Sequence, residues 1–258
     1  MSFGVSMYPR DGEDLDELLI AADRAVYTAK RAGRNRTMLA AQASGPLEAA
    51  TAQDSDADER ARLITAIGLA EALDLRDTGT ASHSQTVARY AAEMATQMGL
   101  SPKRVERIRV AGLLHDIGKI GVPDSILNKP AKLTDEEYTE MKRHPEIGAR
   151  ILGSNVLDDV RSWVLAHHER PDGRGYPFGL SGEQVPLEAR ILSVADAYEA
   201  MTADRCYRTA LPDAAARAEL QRCRGTQFDP EVIDAFLTVL DRLETAPSGP
   251  REAPPIAA

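Results

Sequence analysis

The chain has 258 residues, 43% hydrophobic, 28% charged and only 5% aromatic, enough for one substantial domain with a buried core and some additional structure. Its formal net charge of -9 argues against general nucleic-acid binding, which needs a basic face, so neither DNA nor RNA is an expected partner. An anionic partner would have to be held by local positive charge, from metal ions or a few Arg and Lys.

In chain order, Phe3, Val5 and Met7 alternate with the period of a half-buried strand, and Pro9 to Glu13 supply turn residues. Leu15, Leu18, Leu19, Ala22, Val26 and Ala29 then recur at helical spacing, with Gly33 placed as a C-terminal cap. A lone strand cannot satisfy its own backbone, so this β-α unit over residues 1–40 is expected to belong to a sheet that the chain does not contain. Residues 41–58 lack apolar periodicity and read as a linker, and the Pro-rich tail 246–258 reads as disordered.

Between them, residues 59–245 carry helical signals throughout. Leu63, Ile67 and Ala70 mark one helix, and Val87, Tyr90, Ala91, Met94 and Met98 the next. Ser101-Pro102 is an N-cap followed by proline, opening a helix through Val105, Ile108, Ala111 and Leu114. Thr134 and Glu137 have capping-box spacing, Val160, Trp163, Val164 and His167 form another stripe, and Pro186 precedes the apolar run Ile191 to Ala195. The expected fold is all-α, with a short β-α N-terminal piece. No apolar run approaches the roughly 20 residues of a membrane span. The N-terminus lacks signal-peptide order, and Cys206 and Cys223 read as reduced thiols, so a cytoplasmic location is expected.

The histidines carry the chemistry. There are five, His83, His115, His144, His167 and His168, nearly all on or beside helical stripes and helix ends. His115, Asp116 and Lys119 share neighbouring parts of one helix surface. An imidazole can bind one cation and a carboxylate can bridge two, although an exposed, charged helix end would show the same residues. His167-His168 ends a stripe just before Pro171, Asp172 and Gly173, as ligands or as a polar terminus. His144 precedes Pro145, which biases it toward a kink. Asp196 interrupts an apolar run, and a buried carboxylate needs either a metal or a salt-bridge partner. A nitrogen-and-oxygen donor set without thiolate suits iron, manganese or zinc better than a closed structural zinc site.

The stretch from about Ile64 to Leu240 resembles an HD-GYP domain, a subgroup of the HD-domain phosphohydrolases. The motifs are LLHDIGKIGVPDSILNKPAKLT, KRHPEIGARIL, HHERPDGRGYPFGLSGEQVP, ARILSVADAYEAMTADRCYR and GTQFDP, in that order. The resemblance implies a helical fold and a bacterial signalling phosphodiesterase that converts cyclic di-GMP to linear pGpG or GMP at two divalent metal ions, iron or manganese. Position by position it implies His83, His115, Asp116, His144, His167, His168 and Asp196 as metal ligands, with Asp116 and Lys119 catalytic. It implies Lys119, Gly175, Tyr176, Pro177, Glu199, Arg205 and Arg208 as substrate contacts. Two departures stand out: Gly79 replaces the glutamate that serves a third metal in some members, and Glu199 stands where aspartate is usual. A receptor with weak activity, or a phosphodiesterase for another cyclic dinucleotide such as cyclic GMP-AMP, remains the alternative. The first 40 residues resemble the last strand and helix of a GGDEF (diguanylate cyclase) domain without its signature loop or metal-binding acids. The piece is therefore expected to be inactive: a helical lead-in, a truncation or a mis-assigned start, with its helix intact and its strand frayed. A homodimer, or contact with GGDEF or sensor domains, is the expected assembly.

Overall fold

The computed structural model describes residues 2–12, 14–31, 33, 35–42, 63–76, 82–153, 157–204 and 209–245. Most of the expected linker, the tail, Gly79, Arg205, Cys206 and Arg208 lie outside the described residues. The chain divides into two compact units between residues 62 and 63.

In the first unit, β1 (Phe3–Val5) is followed by α1 (Leu15–Arg31) and β2 (Thr37–Leu39). The two strands pair in parallel, Phe3 opposite Thr37 and Val5 opposite Leu39. This corrects the expectation of a frayed strand without a partner. Three residues are too few to show an alternating pattern, so β2 left no periodic signal in the sequence. The helix lies very close to the strand. A β-carbon on Gly4 would fall 2.1 Å from the Ala22 carbonyl oxygen, while Ala25 and Ala29 are fully buried on the helix. Phe3, Val5 and Met7 stay substantially exposed, as do Leu15, Leu19 and Ile20.

The second unit is helical. Residues 63–76 form α2, followed by α3 (His83–Gln97), α4 (Pro102–Leu114), α5 (Asp124–Leu127), α6 (Asp135–Met141) and α7 (His144–Leu152). Then come α8 (Asp158–Ala166), α9 (Leu187–Thr202), α10 (Asp213–Arg222) and α11 (Pro230–Thr245). Ser101 accepts the Arg104 N–H and Pro102 opens α4, as the sequence predicts. The Thr134–Glu137 capping box starts α6.

The core forms where α3 packs on α4, α9 and α11. Val87, Ala91 and Met94 of α3 meet Ile108, Ala111 and Leu114 of α4, with Ile191 and Leu192 of α9 and Ile233 and Phe236 of α11, all fully buried. Tyr90, Tyr198 and Phe236 make an edge-to-face trio with centroids 4.9–5.5 Å apart. Burying a ring such as Phe236 stabilises by about 2–3 kcal/mol. Small residues let α3 and α4 approach closely: a β-carbon on Gly112 would sit 2.5 Å from the Ala88 α-carbon.

Two local expectations need adjusting. The helix carrying His115 stops at Leu114, and a 3-10 turn over Ile117–Gly121 takes over, with the Lys119 N–H donating to the Asp116 carbonyl. The break near His144 falls earlier, at Lys142 and Arg143, so His144 opens α7 with Pro145 in the first turn, where its missing N–H costs nothing.

Candidate metal centre

Four junctions and one helix interior bring the seven expected ligands together. His83 opens α3, whose N-cap residue Ser82 supplies no side-chain capping bond. Asp74 of α2 does that work, its buried carboxylate accepting from the Ser84 N–H and hydroxyl, both at 2.8 Å. His115 and Asp116 sit where α4 gives way to the 3-10 turn, His144 begins α7, and His167 and His168 follow the end of α8. Asp196 lies within α9.

The two oxygens of Asp116 face different histidines. Oδ2 is 3.3 Å from His115 Nε2 and 3.7 Å from His83 Nε2. Oδ1 is 3.3 Å from His144 Nε2 and 4.0 Å from His167 Nε2. Asp196 Oδ1 joins the first side, 3.6 Å from His83 Nε2 and 3.8 Å from His115 Nε2. His168 joins the second, with Nε2 3.2 Å from that of His144. Two groups thus have metal-ligating spacing, His83–His115–Asp116 and Asp116–His144–His167–His168, and they share Asp116. Lys119 Nζ lies 2.7 Å from Asp116 Oδ2.

The imidazoles are held with Nε2 pointing inward. The Nδ1 atoms of His115, His144 and His167 donate to the carbonyls of Gly112, Met141 and Val164, at 2.8, 2.8 and 2.6 Å. His83 Nδ1 donates instead to Glu199 Oε2, at 2.5 Å. Donation from Nδ1 frees the Nε2 lone pair. The Nε2 atoms of His83, His115 and His167 are buried without a hydrogen-bond partner. Buried nitrogens left unbonded are costly unless a ligand takes them, so this donor set fits divalent metal.

The electrostatics differ between the two sides. Burial opposes charge on His83, but Asp116 and Glu199 prevail and raise it to about 9. His115 is also raised, its burial outweighed by Asp116 and Asp196. Asp116 and Asp196 are driven well below the usual carboxylate range, their burial outweighed respectively by Lys119 with His115 and by His115 with His83. On the other side, burial and neighbouring imidazoles hold His167 down at about 3 and lower His168, and burial lowers His144. The carboxylate-rich side calls for cations, and the imidazole-rich side is kept neutral and able to coordinate.

The loop after α8 packs on the same residues. The Tyr176 ring lies over His168, centroids 4.8 Å apart and planes 32° apart, and its N–H donates to the His168 carbonyl at 3.2 Å. Gly175 is obligatory there, since a β-carbon would fall 2.4 Å from the Glu169 α-carbon. Glu169, fully buried, accepts the Phe178 and Leu180 N–H groups at 2.7 and 2.9 Å and ties down the turn containing Pro177. Glu199 is buried beside His83, while Arg205 and Arg208 fall outside the described residues.

Sequence reasoning overlooked Asp74 and Glu169. Asp74 continues the inward stripe Leu63–Ile67–Ala70 at the next helical position, a carboxylate where an apolar residue belongs, and that signal could have found it. Glu169 follows the histidine pair directly, but its partners lie 9 and 11 residues on, in a loop without periodicity.

Fold and donor set together define a helical domain with a His/Asp site for divalent metal. The family pattern described as HD domain matches residues 68–232, and the one described as diguanylate cyclase, GGDEF domain, matches residues 1–36. The chain belongs to the HD domain family. It is 45% identical over 193 residues to the cyclic di-GMP phosphodiesterase response regulator RpfG of Xanthomonas campestris, covering 74% of this chain and 51% of that protein. A cyclic di-GMP phosphodiesterase of Vibrio cholerae is 37% identical over 197 residues, covering 70% and 40% of the two chains. A 3'3'-cGAMP-specific phosphodiesterase of the same organism is 37% identical over 172 residues, covering 66% and 33%. The chain spans about half, or less, of the length of these curated relatives. Among solved structures, a cyclic GMP-AMP specific phosphodiesterase of V. cholerae superposes with a TM-score of 0.53 at 18% identity, covering 70% of this chain and 49% of that one, which supports the fold.

Proposed function

We propose that the chain is a metal-dependent phosphodiesterase that hydrolyses cyclic di-GMP to linear pGpG or GMP, with residues 59–245 as its catalytic unit. The observation that carries this reading is the division of Asp116, one oxygen toward His83 and His115 and the other toward His144 and His167. A carboxylate so placed could serve two divalent ions at once, as in two-metal phosphoryl-transfer sites. His83, His115 and Asp116, with Asp196 beside them, would hold one ion, and Asp116, His144, His167 and His168 the other, with iron or manganese suited to the nitrogen-and-oxygen donors. Divalent ions bound there would supply Lewis acidity and a source of hydroxide at neutral pH.

The side chains supply the rest. Lys119, held against Asp116, offers an ammonium to stabilise charge gathering on phosphoryl oxygens. Local positive charge of this kind reconciles an anionic dinucleotide with a chain of net charge -9. Gly175, Tyr176 and Pro177 border the His168 side and would shape the substrate pocket, with Arg205 and Arg208 as further phosphate contacts. Cyclic di-GMP is favoured because relatives named for it reach 45% identity, against 38% for those named for cyclic GMP-AMP. All seven proposed ligands come from the second unit. No described helix is long and apolar enough to cross a membrane. A cytoplasmic location, and assembly as a homodimer or against GGDEF or sensor domains, belong to the same proposal.

The test is to incubate the chain, loaded anaerobically with iron or manganese, with each cyclic dinucleotide and to separate the products by chromatography. Linear pGpG or GMP from cyclic di-GMP is expected. Binding without cleavage would make the chain a receptor, and cleavage of cyclic GMP-AMP alone would change the substrate.

A further inference from the structure

We propose that Glu199 is a positioning residue for His83, fixing the tautomer and ring plane of that histidine rather than touching substrate. This deepens the metal-centre reading and rests on it. Three of the histidines, His115, His144 and His167, take their Nδ1 partner from a backbone carbonyl three residues earlier, so the end of the preceding helix orients each ring. His83 stands at the opening of α3 and is held by a side chain 116 residues away.

The geometry on α9 is specific. Asp196 and Glu199 are three residues apart and share one helix face. Asp196 Oδ1 faces the Nε2 of His83 at 3.6 Å while Glu199 Oε2 meets its Nδ1 at 2.5 Å. One face of α9 therefore presents a carboxylate to each nitrogen of a single imidazole, bonded at Nδ1 and facing the unbonded Nε2. Glu199 and His83 are both buried, with relative exposures of 7% and 2%, so water does not compete for the bond. A carboxylate on Nδ1 also raises the basicity of Nε2 more than a neutral carbonyl does, which strengthens that nitrogen as a ligand. The reach matters as well: an aspartate at 199 is shorter by one carbon–carbon bond, about 1.5 Å, and cannot close the same contact from the same backbone.

The test compares the full chain with Glu199→Ala, Glu199→Gln and Glu199→Asp by anaerobic titration with Mn(II), alongside KM and kcat at saturating metal. Wild type should bind two ions. Glu199→Ala should weaken one of them by about 10- to 100-fold, the usual cost of losing a residue that orients a ligand, and leave the other unchanged. Glu199→Asp should resemble Glu199→Ala. Glu199→Gln, which keeps size and an accepting oxygen, should fold normally and lose less affinity, so it carries the test if Glu199→Ala fails to fold. KM at saturating metal should stay at the wild-type value. Wild-type affinity for both ions in Glu199→Ala or Glu199→Asp, with a raised KM, would overturn the positioning role and restore a substrate contact. A wild-type chain that binds no Mn(II) would overturn the metal-centre reading itself.

Discussion

Gly118 lies in the 3-10 turn between Asp116 and Lys119, facing the start of α7. A β-carbon there would fall 1.8 Å from the His144 carbonyl oxygen, 2.5 Å from the Gly148 nitrogen and 2.8 Å from the His144 carbonyl carbon. All three are backbone atoms, so no rotamer change relieves the clash. Reaching ordinary contact at 3.4 Å requires the turn and α7 to part by about 1.6 Å. Gly148, on the opposite wall, differs: its β-carbon would meet Gly118 N at 3.3 Å and the Ile117 and Val164 methyl carbons at 3.4 Å, within reach of small adjustments. Gly118→Ala should therefore destabilise the chain by about 3 kcal/mol, the upper part of the overpacking range. Gly148→Ala should change stability by less than about 1 kcal/mol, because the gain in helix propensity offsets mild crowding. The same junction sets the 3.3 Å separation of Asp116 Oδ1 and His144 Nε2. A displacement beyond the roughly 0.5 Å that functional geometry tolerates should also lower affinity for one ion. Urea unfolding followed by far-UV circular dichroism, with Mn(II) titration of both variants, measures this. Gly118→Ala with parental stability and parental metal affinity would refute the reasoning.

Lys119→Ala should keep the parental metal content while turnover falls by about 10²- to 10³-fold, the typical cost of removing one group that stabilises transition-state charge; metal loss as severe as in Asp116→Ala would refute that division of roles. Asp159 on α8 accepts from Arg107 Nε on α4 at 2.9 Å. Burial alone would raise its pKa, but Arg107 outweighs burial and holds it below the ordinary 3.8. A folded pKa below the unfolded one means that the pair stabilises the chain above the unfolded value and ceases to do so as pH falls through the folded one. Asp159→Asn should cost about 0.5 kcal/mol at pH 7, as expected for a partly exposed ion pair, and nothing once Asp159 itself is protonated. Equal losses in urea unfolding at both ends of that range would contradict the assignment.

The helices were legible because each buries one stripe. Val87–Ala91–Met94 and Ile108–Ala111–Leu114 recur at the helical period and are fully buried. The histidines were legible because polar rings stand where those stripes end, and the resemblance fixed which of them to gather. The strand Thr37–Leu39 was hidden by its brevity, and its pairing with Phe3–Val5 spans a whole helix. The resemblance implied Glu199 as a substrate contact, and the sequence could not reveal the bond that His83 makes to its carboxylate. Asp74 and Glu169 act on partners fixed only by the packing of α2 on α3 and by the path of the Gly175–Pro177 loop.

The pairing of two metal groups through Asp116 is tested most directly by titrating the metal-free chain anaerobically with Fe(II) or Mn(II) while recording bound metal per chain and the rate of cyclic di-GMP cleavage. The rate should stay low through the first equivalent and reach its maximum at about two ions per chain, as a two-metal centre requires. Full activity at one ion, a further rise toward three, or no cleavage by a chain holding two would contradict it.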